Sequence, residues 1–409
     1  MPSRGADPGD VLAILDQIGS PATIANAGGR YFGFVNGGAL PIARAANVLA
    51  AAWDQNAALR VMSPTAAALE EIALAWMLEL LGLPDSSGGG FVTGATMASF
   101  SCLAAARHSL LKRVGWDVES HGLFGAPPLN VVVGQDVHAS VLKALALLGL
   151  GRERVTVAPT DQQGRMRFDQ LPRLDAATIV CTQAGNVNTG SFDPFEEICH
   201  TARRANAWVH VDGAFGLWAA ASGDHGGVVR GLADADSWAT DAHKWLNVPY
   251  DCGLAFVRDA ESLRRAMQLQ AAYLMPGSGR EPMHWTPEAS RRARGVEVWA
   301  ALRCLGREGI ADMIRRTCRH ARRLASGLRD AGYAVLNDVG LNQVLVSFGT
   351  DDQTGRVIEG VQADGTCWCG GTIWKGSAAM RISVSSWATT DDDVERSLAA
   401  ILAVAGELA

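Results

Sequence analysis

The chain has 409 residues, 48% hydrophobic and 19% charged, enough for a large core and more than one lobe. A formal net charge of -6 leaves no basic footprint for nucleic acid and points to a small-molecule partner. The longest apolar stretch, Ala66 to Leu83, is interrupted by glutamates, and the first ten residues lack the apolar centre of a secretory signal, so neither a membrane span nor export is expected.

Residues 2–24 are a polar entry with a short helical pattern in Val11, Leu12, Ile14 and Leu15. Gly28 to Gly38 is glycine-rich with aromatics between, a loop that needs positive φ and packs its rings on the body. A helix is predicted from Ser63 as cap and Pro64 as first position, with apolar residues through Leu83. The stretch from Gly88-Gly89-Gly90 to Ser99 reads as a glycine-rich turn entering a helix that ends near Arg107. A helix N-terminus there offers free N–H groups to an anion, although such turns are more often plain turns.

Asn130 to Gly134 is a buried strand candidate, and Gln135 to Ser140 opens the next helix. Taken alone, His138 in that opening is a cap or surface residue. Strands are predicted at 154–158 and 178–183, followed by a polar loop, Ala184 to Gly190. Ligands of open α/β sheets sit at such strand ends, so Thr182 and Asn186 are either site neighbours or parts of a simple turn. A helix over 194–206 leads to Trp208–Asp212, a buried strand ending in a carboxylate. The segment from Asp236 to Trp245 reads as a polar turn that delivers Lys244 between His243 and Trp245. Apolar neighbours there would desolvate the amine and make it nucleophilic. The strand Gly253 to Val257 comes next. Singly, Asp212 would be a loop-capping acid and Lys244 a surface lysine. Together they meet the two demands of a pyridoxal phosphate (PLP) site, a Schiff-base lysine and an acid for the pyridinium nitrogen. The strand–helix alternation from 130 to 257 argues for a mainly parallel sheet covered on both faces.

Beyond Arg258 the pattern changes. Residues 267–285 are irregular, and Ser290 to Gly295 opens a helix through Leu305. Arg291, Arg292 and Arg294 read as solvated positions unless one turns inward to an interface or phosphate. A second helix over 310–331 precedes strands at 333–336, 343–348, 366–374 and 380–384 and a last helix at 391–402, a smaller α+β lobe. Of the eight cysteines, Cys367 and Cys369 form the only close pair; they lack the second half of a zinc site and read as packed, reduced thiols. No metal site is expected. Arg381 sits among apolar strand residues and could grip a carboxylate with two parallel bonds or serve a structural salt bridge. The chain divides into an N-terminal segment (1–60), a large domain (61–306) and a small C-terminal domain (307–409).

The order His210-Val211-Asp212-Gly213-Ala214, then Asp241-Ala242-His243-Lys244-Trp245, resembles the PLP-dependent group II amino-acid decarboxylases, the aromatic-L-amino-acid and glutamate decarboxylase group. The likeness runs from about Gly28 to the C-terminal segment. It implies an α/β chain with the PLP-dependent transferase fold (aspartate aminotransferase-like, fold type I). It also implies PLP held on Lys244 as an internal aldimine, with Asp212 at the ring nitrogen and His138 over the ring face. Ala95 and Thr96 would hold the phosphate, with Thr182, Ala214, Asp241 and His243 around the cofactor. Phe34 and Asn36 would line the substrate pocket near a dimer interface, with Asn186 and Arg381 as further substrate contacts. Many relatives carry a glutamate where this chain has Met97.

The activity so implied is decarboxylation of an L-amino acid by a cytoplasmic homodimer. The family's loop tyrosine, which protonates the carbanion, has no counterpart in 274–287; Tyr273 lies just before that stretch, and His284 is the nearest other donor. That departure leaves open a carbon–carbon lyase of aldolase type or a decarboxylating amine oxidation. A non-catalytic protein on the same fold is the remaining alternative.

Overall fold

The computed structural model describes residues 1–269 and 279–408. Seven strands form the large sheet: β1 (Gly88–Val92), β2 (Asn130–Gly134), β3 (Thr156–Ala158), β4 (Thr178–Gln183), β5 (Trp208–Asp212), β6 (Ser237–Asp241) and β7 (Gly253–Val257). Their order across the sheet is β1-β7-β6-β5-β4-β2-β3. From β3 to β6 every ladder is parallel, and β7 runs antiparallel to both β6 and β1. The expected mainly parallel α/β sheet is therefore present.

Helices cover both faces, which is why β4 and β5 are buried at every residue. The first part of the chain supplies α1 (Pro8–Ile14), α2 (Pro41–Trp53), α3 (Pro64–Leu81), α4 (Ala95–Arg113), α5 (Val118–His121), α6 (Ala139–Leu147), α7 (Phe195–Arg204) and α8 (Ala260–Met267). Side chains alternate along β5 as the pleat demands. Val209 and Val211 join a core with residues of α3 and α7, whereas Trp208 points to the opposite core with residues of α4 and α6.

A long helix, α9 (Gly295–Asp330), then leads into the C-terminal lobe and is broken at Gly306, whose φ of 61° lies outside the helical region. This is the single physical feature behind the two helices expected at 295–305 and 310–331. The lobe is a four-stranded antiparallel sheet of β8 (Ala334–Val335), β9 (Gln343–Ser347), β10 (Gly370–Trp374) and β11 (Ser377–Ser383), in the order β10-β11-β9-β8. Helices α10 (Asp351–Asp364) and α11 (Asp391–Leu408) pack on it. Cys367 and Cys369 are both buried and free there, and Cys369 closes the hydrogen bond from the Gln362 amide with its carbonyl.

Three expectations need correction. Gly88 to Gly90 are not a turn but the buried strand β1. A Cβ on Gly88 would come within 2.5 Å of the Trp285 ring, and one on Gly90 equally close to the Trp285 carbonyl, so glycine is what lets this strand lie under Trp285. Residues 237–241 belong to strand β6, and the turn begins only at Ala242. Arg291 and Arg294 are not solvated; both are buried. Arg291 meets the carboxylate of Glu70 on α3 at 2.7 Å, and Arg280 meets the same acid at 3.0 Å. Among the described residues no helix is long and apolar enough to cross a membrane.

The Glu70 cluster yields a stability test. Glu70→Ala would leave the Arg291 guanidinium buried without its anion, and a loss of about 3–5 kcal/mol is expected in urea unfolding. Glu70→Gln, which keeps an acceptor, should lose less.

Candidate functional site

The C-terminal ends of β4, β5 and β6 open towards the N-termini of α4 and α6. Asp241, the last residue of β6, is buried, and its Oδ1 accepts the Ala95 N–H at 2.6 Å at the first turn of α4. Its Oδ2 lies 2.9 Å from Lys244 Nζ and 3.7 Å from His243 Nε2. A carboxylate, not the expected apolar surround, thus meets the lysine amine. Ala242 and His243 donate their backbone N–H groups to the Cys252 carbonyl, and His243 Nδ1 accepts the Cys252 N–H at 3.1 Å, which leaves its proton on Nε2. Burial lowers the His243 pKa against the pull of Asp241.

Asp212 ends β5 beside Gln183 of β4 and Ala239 of β6. It accepts the Ala214 N–H at 3.1 Å. Burial raises its carboxyl pKa, while the charges of His138 and Lys244 pull the other way. A cation placed against it would therefore restore the carboxylate. His138 is the N-cap of α6: its Nδ1 takes the Ser140 N–H at 3.2 Å, leaving Nε2 to carry the proton. Its ring keeps solvent access, yet neighbouring protein lowers its pKa by desolvation, with Asp212 opposing. Arg381, half-buried on β11, is close enough for its charge to act on His138. Among the described residues it has no carboxylate partner, so the salt-bridge alternative is not realised.

The other expected residues divide. Ala214 and Ala95 are at the site through their backbone N–H groups, and Thr96 follows Ala95 in the first turn of α4. The Thr182 hydroxyl is turned away and donates to the His210 carbonyl at 3.0 Å. Asn186 shapes a turn: its Oδ1 accepts the N–H groups of Asn188 and Thr189, while its buried Nδ2 has no partner among the described residues. Phe34 is exposed, held at a positive φ of 53°, and stacks on Trp368 with ring centres 5.4 Å apart. Asn36 Oδ1 accepts the Tyr250 hydroxyl at 2.6 Å. Tyr273 lies outside the described residues. His284 Nδ1 accepts the Leu269 N–H at 3.4 Å, away from the lysine turn.

Two residues of this region were not anticipated. Tyr250 packs on His243 with ring centres 4.4 Å apart, and burial, then Asp241 and Tyr31, pushes its phenol up to about 12, so it carries its proton throughout the neutral range. Asn247 is fully buried and left-handed, with a φ of 58°. Its Nδ2 donates to the carbonyls of Trp245 and Ser385, and its Oδ1 accepts the Trp387 N–H. Its own carbonyl takes the Leu40 N–H. An asparagine three positions after the lysine, before Val248-Pro249, was the available signal, because asparagine tolerates the left-handed region and suits turns.

The chain matches, over residues 29–349, a family described as the pyridoxal-dependent decarboxylase conserved domain. Histidine decarboxylase of Drosophila melanogaster is 30% identical over 377 residues, which are 86% of this chain but only 43% of that protein. Aromatic-L-amino-acid decarboxylase of Drosophila lebanonensis is 27% identical over 378 residues, 85% of this chain and 91% of that one. Phenylacetaldehyde synthase of a Rosa hybrid cultivar is 26% identical over 372 residues, 82% and 72% of the two chains. The crystal structure of Oryza sativa TDC with PLP and tryptamine superposes with a TM-score of 0.91 at 22% identity, covering 100% of this chain and 89% of that one. At that identity the likeness establishes the fold, the PLP-dependent transferase type.

The donor set fits pyridoxal phosphate. The first turn of α4 already binds an anion, the Asp241 carboxylate, and Gly94 keeps that turn open, since a Cβ there would lie 3.3 Å from the His243 ring. A buried acid, Asp212, and a primary amine, Lys244, complete what the ring nitrogen and aldehyde require.

Asn247→Ala should test how firmly the lysine turn is held. Loss of its side-chain bonds to Trp245, Ser385 and Trp387, with a left-handed alanine in its place, is expected to lower stability by roughly 2–4 kcal/mol in chemical denaturation.

Proposed function

The chain belongs to the pyridoxal-dependent decarboxylase family, and from that membership we propose that it decarboxylates an L-amino acid, with Lys244 as the amine that holds the cofactor. The observation that carries this reading is the convergence of Lys244, Asp212 and His138, near enough that the charges of the other two act on the Asp212 carboxyl. Bound pyridoxal phosphate supplies an electron sink for the pair released when the bond from the α-carbon to the carboxylate breaks.

In this reading Lys244 would hold the cofactor at its aldehyde carbon. Asp212, ionised against a cation, would keep the ring nitrogen protonated. His138 would cover the ring and present its Nε2 proton to the cleft. Ala95 and Thr96 offer backbone N–H groups, and Thr96 a hydroxyl, to the phosphate at the positive end of α4. Arg381 takes the substrate carboxylate with paired donors, and that grip sets which bond is aligned for cleavage. Phe34, with Asn36 and Tyr250, edges the entrance on the side of the N-terminal segment. Residues 61–306 then carry the cofactor and 307–409 the arginine, and the break at Gly306 divides them.

A second reading, decarboxylation coupled to oxidation of the amine, is favoured by the absence of tyrosine from 274–287 and by the likeness to a phenylacetaldehyde synthase. Product analysis separates the two. Carbon dioxide with an amine product marks decarboxylation, carbon dioxide with ammonia and peroxide marks oxidation, and an aldehyde without carbon dioxide marks aldol-type cleavage. For either main reading, Lys244→Ala should lower carbon dioxide release by about a thousandfold or more, as removal of a covalent group does. Borohydride should fix the cofactor to Lys244 in the wild type; label on another lysine would refute the assignment. Asp212→Asn should keep the bound colour and lose most turnover.

We also infer a cytoplasmic homodimer. All eight cysteines are free. Helix α1 has no buried residue, and Leu12, Leu15 and Ile18 stand exposed near the N-terminus, as do Val48 and Leu49 on α2. Apolar surface on this scale is characteristic of subunit interfaces. Light scattering is expected to give twice the chain mass, and a monomer with full activity would overturn the dimer.

A further inference from the structure

Arg381 arrives at the cleft on a hairpin whose turn makes a contact of its own with the large domain. β10 and β11 pair Trp374 with Ser377, so their connection is the dipeptide Lys375-Gly376. Both residues have positive φ, 48° and 89°, a form that matches the twist of a hairpin and that asparagine and glycine adopt most readily. Lysine suits that backbone poorly, yet its side chain leaves the small lobe altogether. Nζ lies 2.7 Å from Asp136 Oδ2 and 3.0 Å from Thr160 Oγ1. The Thr160 hydroxyl donates to the same Asp136 oxygen. The rest of the turn is seated on the same surface. Trp374 is buried, a Cβ on Gly164 would lie 2.9 Å from its ring, and the Thr372 hydroxyl donates to Asn188 Oδ1 at 3.1 Å.

Asp136 occupies the short link between β2 and α6, just ahead of His138. Its carbonyl accepts the Gln183 amide at 3.0 Å, and Gln183 pairs in the sheet with Asp212. The link is thus held from the large sheet through its backbone and from the small lobe through its side chain. On the hairpin's second strand, Arg381 is near enough for its charge to act on the His138 ring. One ion pair therefore joins the two elements that bring Arg381 and His138 to the cleft.

We propose that the Lys375–Asp136 contact is a strut across the cleft that fixes the separation of Arg381 from His138, and that both members are positioning residues. Neither touches substrate. Lys375 holds the hairpin where Arg381 can take a carboxylate, and Asp136 holds the link so that the His138 ring faces it. Which bond is aligned for cleavage depends on the angle between a gripped carboxylate and the plane beneath that ring, so a small drift at either end is felt in the rate. The two side chains keep 27% and 19% exposure, so the contact adds little to global stability, and Trp374 still seats the turn without it. This role rests on the decarboxylase reading above and adds two residues to it.

The test uses the whole chain loaded with pyridoxal phosphate and the variants Lys375→Met, Asp136→Asn, their double, and Lys375→Arg. The first arm needs no substrate: amide hydrogen exchange over residues 135–140 should quicken by about threefold or more in each of the first two variants. Thermal melts should stay within about 2 °C of wild type. The second arm takes the amino acid that gives carbon dioxide in the product analysis. There kcat should fall by about tenfold while KM changes by less than about twofold. The double variant should be no slower than the slower single, as expected of two groups acting through one contact. Lys375→Arg, which can keep the contact, should recover most of the rate. Unchanged exchange in the link, losses in kcat that multiply in the double variant, or faster exchange with kcat intact would each overturn the proposal. If no amino acid yields carbon dioxide with the wild type, the decarboxylase reading fails instead, and the exchange arm still decides whether the strut exists.

Discussion

Everything at this site depends on holding one flexible amine still. A lysine side chain has four rotatable bonds and loses substantial rotamer freedom when fixed, so its backbone must be fixed first. Three separate parts of the chain do this. Gly37, from the first forty residues, passes so close that a Cβ there would sit 1.9 Å from the Lys244 carbonyl. Asn247 ties the same turn to Ser385 and Trp387, which lie beyond β11 in the C-terminal lobe. Trp245, fully buried, donates its indole N–H to Thr317 on α9. The turn is thus a junction of the N-terminal segment, the large sheet and the small lobe, and loosening any one of these would be felt at Nζ.

That junction explains what could be read from the chain and what could not. β2, β4, β5 and β7 were legible at their bounds because each is an apolar or β-branched run in a sheet covered on both faces. β1 was not, since three glycines carry no hydrophobic signal. Its place is set by Trp285, almost two hundred residues away, which occupies the space that side chains would otherwise fill. β6 looked like a turn because Ser237, Thr240 and Asp241 are polar, and their partners are distant in sequence. Ser237 Oγ accepts the Trp208 indole N–H, and Asp241 caps α4. Helix α10 begins with a capping box, Thr350 with Gln353, a local signal that was present and went unread.

The site divides along the same line. Asp212 at the end of β5 and His138 at the cap of α6 stand where the strand and helix pattern put them, and Lys244 lies in the turn expected to deliver it. Asn247 and Tyr250 were not legible, because their roles come from contacts across the fold, Asn247 to the small lobe and Tyr250 to His243 and Asn36. Arg291 and Arg294 read as surface charge because the acids they pair with are distant in sequence. Their partners, Glu70 on α3 and Asp251 next to the lysine turn, appear only after folding. Buried ion pairs of this kind add little net stability over apolar packing, but they penalise any arrangement that parts them. Here they lock the residues after 279 onto α3 and onto the segment leading into β7.

The same geometry bears on how a reaction at this site would be controlled. Asp241 Oδ2 and Lys244 Nζ, 2.9 Å apart, neutralise each other, and neither is free for other work while they are in contact. The pair stands at the positive end of a nineteen-residue helix, where backbone N–H groups favour negative charge. An anion arriving at that same end would compete with the Asp241 carboxylate for the Ala95 N–H. That competition follows from the carboxylate's position and would be lost in a chain with an uncharged residue at 241.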